Sequence, residues 1–214
     1  MDFLPEEIEK FVEEHTRPET EVLKQLNRET CAKVLMPRML SGHVQGQVLR
    51  MLSLMIKPKY ILEVGTFTGY SGICLSEGIE EGGKLITIDV NAELEDMVRK
   101  YFKQAGAENK IDYRIGNAMQ IIPVLNEKFD LVFIDADKEN YSNYYDLVFD
   151  KVNTGGYIIA DNVLWSGKVT EPKDKQDKDT RAIVSYSEKI HNDSRVENVL
   201  FPVRDGLLVA RKIV

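Results

Sequence analysis

Four short apolar runs, largely of Val, Ile, Leu and Phe, recur along the chain between stretches of helix length: "YILEVG" (60–65), "KLITID" (84–89), "DLVFID" (130–135) and "GGYIIAD" (155–161). A strand that solvates one face alternates apolar and polar residues, and these runs do not, so both of their faces must be covered. A weaker run, "IDYRIG" (111–116), keeps the same rhythm. Between the runs lie "SGICLSEGIEE", "AELEDMVRKYFKQAG" and "NYYDLVFDKV", long enough for helices, with Gly106 placed as a helix stop. Alternating strand and helix predicts right-handed βαβ crossovers and an α/β fold with a mostly parallel, doubly wound sheet.

The pattern changes at both ends. Residues 6 to about 57 read as helices punctuated by Pro18, Pro37 and Pro58, and form a helical N-terminal segment (1–57) before a core of residues 58–214. After a helix near 180–192, "RVENVLFPVRDGLLVARKIV" reads as two strands joined by a tight turn at Asp205-Gly206, which adds one antiparallel strand to the sheet. The segment "EPKDKQDKDTR" (171–181) mixes both charge signs and reads as a mobile surface loop. With 214 residues, 43% of them hydrophobic, the chain suits one domain with a sizeable core.

Charge and cysteine usage narrow the function classes. No apolar stretch approaches the roughly 18 residues of a membrane span, and "MDFLPEEIEKF" is acidic where a signal peptide is basic, so a cytoplasmic protein without a membrane partner is expected. A net charge of −7 with no Lys/Arg stripe favours a small substrate over nucleic acid. Cys31 and Cys74 read as small core or near-core residues, and a disulfide framework is unsupported.

Two strand ends carry chemistry. In "LEVGTFTGYS", Gly65 and Gly69 let the backbone turn tightly toward a ligand at a helix start, but Phe67 and Tyr70 break the dinucleotide pattern G-x-G-x-x-G, so a nicotinamide oxidoreductase is disfavoured. Asp89 ends the second strand, where a carboxylate can accept from both hydroxyls of a ribose. Glu63, inside an apolar run, must be paired or face a cationic ligand; a hydrogen bond to loop backbone is the structural alternative. Farther along, Asp135 ends one strand, and Asp161 followed by Asn162 ends the next. Three oxygen donors without His or Cys suit Mg²⁺, Mn²⁺ or Ca²⁺ rather than zinc, and leave positions for water and substrate. Helix capping by Asp135 and Asp161 is the alternative. Lys138 fits a general base, because burial and a neighbouring cation both favour a neutral lysine amine, or else an exposed first-turn lysine. Trp165 reads equally as a ring platform for a substrate or as a packing residue.

Together "LEVGTFTGYS", "ITIDVN", "FIDADKENY" and "IIADNVLWSG" resemble the cation-dependent O-methyltransferases, the catechol and caffeoyl-CoA family, in order from about residue 38 to the C-terminal "PVRDGLLVARK". The resemblance implies a Rossmann-like class I methyltransferase with a seven-stranded sheet. It implies that S-adenosylmethionine is lined by Glu63, Gly65, Phe67, Ser71, Asp89, Ala118 and Asp135, with Met39 and "SGHVQGQ" closing over the methionine moiety and Asp137 near the adenosine. It assigns Asp135, Asp161 and Asn162 to a divalent metal, Mg²⁺ first, and Lys138 to the general base. The implied activity is O-methylation of a small catechol-like or phenolic substrate by a homodimer. Alternatives are methylation of 5-hydroxyuridine in tRNA, or a catalytically silent S-adenosylmethionine-binding protein. Phe67 stands where catechol enzymes carry Tyr, and the role of His43 is open.

Overall fold

The computed structural model describes residues 4–214, and the contacts group them into two compact units, residues 4–117 and residues 118–214. In the first unit, helices α1 (Glu6–Glu14), α2 (Glu21–Lys33) and α3 (Gly42–Ile56) precede β1 (Tyr60–Val64), α4 (Tyr70–Ser76), β2 (Lys84–Asp89), α5 (Glu95–Gln104) and β3 (Ile111–Ile115). Thr20 begins α2 by accepting the Leu23 N–H at 3.3 Å, and the helix turns Leu23, Leu26 and Thr30 inward at helical spacing. α1 is different: its first turn is acidic and none of its residues is buried. β1 and β3 flank β2 in parallel register, with Glu63 opposite Thr87 and Asp89 opposite Ile115.

The second unit runs α6 (Ala118–Val124), β4 (Phe129–Ile134), α7 (Tyr141–Phe149), β5 (Val152–Ala160), α8 (Lys178–Asn192), β6 (Val196–Phe201) and β7 (Leu207–Lys212). β4 pairs with β5 in parallel, and β7 runs antiparallel to both β5 and β6. Leu131, Val132, Phe133, Ile134, Ile158, Ile159 and Ala160 are all fully buried, as continuous apolar runs require. Burying each of the larger side chains stabilises the fold by roughly 1.5–3 kcal/mol. Tyr141, Tyr144, Tyr145, Val148 and Phe149 form the buried face of α7, at the i, i+3, i+4, i+7, i+8 spacing of a helix packed on one side. Of the seven strands, those of the first unit run in the order β3-β2-β1 and those of the second in the order β4-β5-β7-β6, the mostly parallel α/β architecture expected of these runs, with β7 as the antiparallel strand.

Four local expectations need correction. β5 starts at Val152 rather than at 155; its register slips against β4 between Phe129 and Leu131, and Gly155 (φ 85°) absorbs the irregularity. The β6–β7 connection spans 202–206 instead of a two-residue turn at Asp205-Gly206, with Arg204 (φ 51°) and Gly206 (φ 89°) in the left-handed region. Cys31 is exposed, because it follows Thr30 off the inward face of α2, whereas Cys74 is buried. The charged segment 171–181 is not all loop: Asp177 caps α8 by accepting the Thr180 N–H at 2.8 Å, so the helix begins inside it. Hydrogen bonds from Thr180 and then Lys168 hold the Asp177 carboxyl well below the usual carboxylate range.

Candidate active site

In the first unit, β1 runs into a loop whose backbone turns left-handed at Gly65 (φ 102°), Phe67 (φ 49°) and Gly69 (φ 90°) before α4. Gly69 is required twice over: its φ favours glycine, and a Cβ there would lie 2.6 Å from the Phe102 ring. Asp89, at the tip of β2, fastens this loop: Oδ2 accepts the N–H groups of Thr66 (3.0 Å) and Phe67 (2.7 Å), while Oδ1 accepts the Asn91 N–H at 2.8 Å. Each carboxylate oxygen has two lone pairs, so these bonds leave acceptor capacity. Beneath the loop, Glu63 is fully buried and accepts the Ser71 hydroxyl at 2.6 Å and the Thr87 hydroxyl at 2.5 Å. Hydroxyl donors thus offset part of the cost of burying its charge. Glu63, Gly65, Phe67, Ser71 and Asp89 therefore gather around one loop and one strand tip.

The other expected cofactor positions lie on other elements. Met39 ends a short 3-10 turn (Pro37–Met39) and is 55% exposed. Ala118, buried, opens α6 in the second unit. Asp137 precedes the 3-10 turn Lys138–Asn140, accepts the Tyr144 hydroxyl at 2.5 Å and is also bonded by the Asn140 amide. His43 Nε2 lies 2.7 Å from the Arg17 carbonyl oxygen, so it ties the start of α3 to the segment before α2.

In the second unit the paired ends of β4 and β5 deliver the acidic set. Ile134 and Ala160 are register partners, and the Asp161 N–H donates to the Ile134 carbonyl at 3.0 Å, which sets Asp135 and Asp161 at neighbouring strand tips. Asp161 is 1% exposed, and its Oδ1 accepts the Asn162 N–H at 2.6 Å, with Asn162 itself left-handed (φ 58°). Lys138 is not a surface lysine: it is 8% exposed, and its Nζ donates to Asp135 Oδ1 (3.2 Å), Asn162 Oδ1 (2.9 Å) and the Tyr141 hydroxyl (2.5 Å). The three N–H groups of its ammonium thus have three acceptors. The ammonium also lies 4.7 Å from the Tyr141 ring centroid and 5.6 Å from that of Trp165.

This geometry tests the donor set. Oxygens of Asp135 and Asn162 already converge on one positive charge, and hard oxygen donors suit a divalent cation. Among the described residues no group of three or more His, Cys, Asp or Glu side chains is assembled to hold a metal, so a cation here would have to rest on two carboxylates and the Asn162 amide oxygen. The set fits Mg²⁺ and offers no soft ligand.

Two contributors were not visible in the sequence. Tyr141 stood in the sequence only as the last residue of "FIDADKENY", with no role of its own, yet its buried hydroxyl joins Lys138 to the Asp161 carbonyl, to which it donates at 3.0 Å. Burial, then the carboxylates of Asp135 and Asp161, push its pKa well above the usual phenol value. The second is the β6–β7 connection, which braces the strained loop after β5. Asn162, Trp165 (φ 47°), Ser166 (φ 53°) and Gly167 (φ 82°) are all left-handed. The Asp205 carbonyl accepts the Leu164 N–H at 2.9 Å, its side chain accepts the Ser166 N–H at 2.6 Å, and the Gly206 carbonyl accepts the Val163 N–H at 3.2 Å. A Cβ at Gly206 would lie 2.6 Å from Leu164 Cγ and 3.1 Å from the Leu164 backbone nitrogen. Gly206→Ala is therefore expected to destabilise the protein by about 1–3 kcal/mol, seen as a lower thermal midpoint; an unchanged midpoint contradicts the bracing role.

The O-methyltransferase family model matches residues 13–213. The caffeoyl-CoA O-methyltransferase of Medicago sativa is 36% identical over 209 residues, covering 91% of this chain and 83% of that protein. Tricin synthase 2 of Oryza sativa subsp. japonica is 40% identical over 181 residues, 79% of this chain and 62% of that protein. Among solved structures, the O-methyltransferase from Bacillus cereus in complex with SAH superposes with a TM-score of 0.88 at 28% identity, covering 96% of this chain and 97% of that one. Motifs at the β1 and β2 tips, an oxygen-donor set with a buried lysine, and a family match over nearly the whole length agree: the chain belongs to the O-methyltransferase family and is an enzyme of that class.

Proposed function

We propose that this chain transfers the methyl group of S-adenosylmethionine to one hydroxyl of a small catechol-like or phenolic acceptor, with Asp135, Asp161 and Asn162 holding a divalent cation, Mg²⁺. The carrying observation is the clamp on Lys138 Nζ, where a buried lysine and two oxygen donors of that set meet within hydrogen-bond distance. A cation held by Asp135, Asp161 and Asn162 would supply Lewis-acid polarisation of the acceptor hydroxyl. Lys138 Nζ, in its neutral amine form with two N–H groups and one lone pair, receives the proton of the hydroxyl that reacts and so becomes the ammonium. The acceptor oxygen then forms its bond to the methyl carbon as the carbon–sulfur bond breaks. Asp89 holds the loop 65–69 in shape through Thr66 and Phe67 and offers its one remaining lone pair, on Oδ1, to a ribose hydroxyl. Holding both reactants in a near-attack geometry contributes roughly 7–11 kcal/mol to such a step.

Named relatives that act on caffeoyl-CoA support a phenolic acceptor. The test is a methyl-transfer screen of catechols, caffeoyl compounds, phenolic acids and tRNA with and without hydroxylated uridine, each with Mg²⁺ and with chelator. Transfer to a catechol, lost in chelator and restored by added Mg²⁺, is the expected result. Full activity in chelator overturns the metal assignment, and transfer confined to tRNA overturns the acceptor.

A further inference from the structure

We propose that Tyr141 is a positioning residue for Lys138: its hydroxyl holds the amine in place independently of the cation-binding oxygens. The inference rests on the reading of Lys138 as general base and extends it to a residue three positions on, at the start of α7.

Lys138 Nζ has three protein acceptors, and two of them, Asp135 Oδ1 and Asn162 Oδ1, belong to the set proposed for the cation. An oxygen that ligates a cation is a poor acceptor for a second positive group beside it. Tyr141 Oη is the remaining one, at 2.5 Å, and it lies outside that set. Its own proton is committed: the hydroxyl donates to the Asp161 backbone carbonyl at 3.0 Å, which leaves its lone pairs directed to the amine. The ring is fixed as well. Tyr141 is fully buried, and its ring meets that of Tyr186 on α8 edge-on, with centroids 5.5 Å apart and planes at 82°. A side chain locked by packing and by its own donor bond is the kind of support that keeps a proton acceptor within reach of its target. Tyr141 touches neither reactant in this scheme, so its effect passes through Lys138.

The test is Tyr141→Phe, which keeps the ring and its contact with Tyr186 and removes only the oxygen. Expected is a fall in kcat of about tenfold or more, with the acceptor KM and the Mg²⁺ dissociation constant, measured by calorimetry on the unreacted protein, each within about twofold of the parent. An unchanged kcat overturns the proposal. So does a loss of kcat matched by an equal weakening of Mg²⁺ binding, because the hydroxyl would then act through Asp161. Lys138→Ala, assayed in parallel, separates this from the underlying reading: full activity in Lys138→Ala removes the general base, whereas an inactive Lys138→Ala beside a fully active Tyr141→Phe removes only the positioning role.

Discussion

Lys138→Ala is expected to lower kcat for methyl transfer by roughly 10²–10⁴-fold, the range that a positioned proton acceptor contributes. The size of the effect follows from where the amine sits. A lysine in the first turn after a strand is ordinarily solvated, and its loss costs little; Lys138 is nearly buried and spends all three N–H groups on Asp135, Asn162 and Tyr141. Removing it leaves those oxygens facing one another without their donor, so some loss of stability accompanies the loss of turnover. Lys138→Met separates the two, since it restores the aliphatic stem and its packing while still lacking the base. Single-turnover methyl transfer should be equally slow in both variants, and the thermal midpoint should recover toward the parent in Lys138→Met. Turnover within about threefold of the parent in either variant eliminates Lys138 as the base.

The sheet and the acidic residues at its tips were legible because their causes are local. "DLVFID" has no polar alternation, and in the fold both faces of Leu131, Val132, Phe133 and Ile134 are covered. Asp135 and Asp161 stand out because a carboxylate directly after such a run is delivered to a strand end. What could not be read depends on distant groups. Nothing near Asp89 in the chain announces that its Oδ2 is bonded to Thr66 and Phe67 on another strand's loop. Tyr141 looks like any packing aromatic until the Asp161 carbonyl, from the next strand, meets its hydroxyl. The left-handed run at Trp165 and Ser166, both non-glycine, violates local preference and is braced by Asp205, which accepts the Leu164 N–H with its carbonyl and the Ser166 N–H with its side chain. Asp205-Gly206 was visible as a turn, but its role as a brace was not. Cys31 was misread because a small residue on a helix has no signature of which side it faces, while Leu23 and Leu26 do.

Asp161→Asn is expected to weaken Mg²⁺ binding by at least the roughly 10–100-fold that loss of even a supporting outer partner costs a metal site, and to reduce turnover in proportion. The substitution changes charge and little else. Asp161 Oδ1 accepts the Asn162 N–H at 2.6 Å, and the amide oxygen of an asparagine can accept the same bond, so the left-handed turn at Asn162 keeps its support. Its backbone carbonyl still accepts the Tyr141 hydroxyl, so the support proposed for Lys138 is also unaltered. Asp161→Ala differs by leaving the Asn162 N–H without that acceptor, which adds about 1–3 kcal/mol of destabilisation and a lower thermal midpoint. Comparing the two by calorimetry with Mg²⁺ therefore isolates the carboxylate charge from the turn that it caps. Binding of S-adenosylmethionine is expected to persist in Asp161→Asn, because Glu63, Ser71 and Asp89 make their bonds within the first unit. Parent-like Mg²⁺ affinity in Asp161→Asn would reduce this carboxylate to a cap for Asn162 and move the cation to other oxygens.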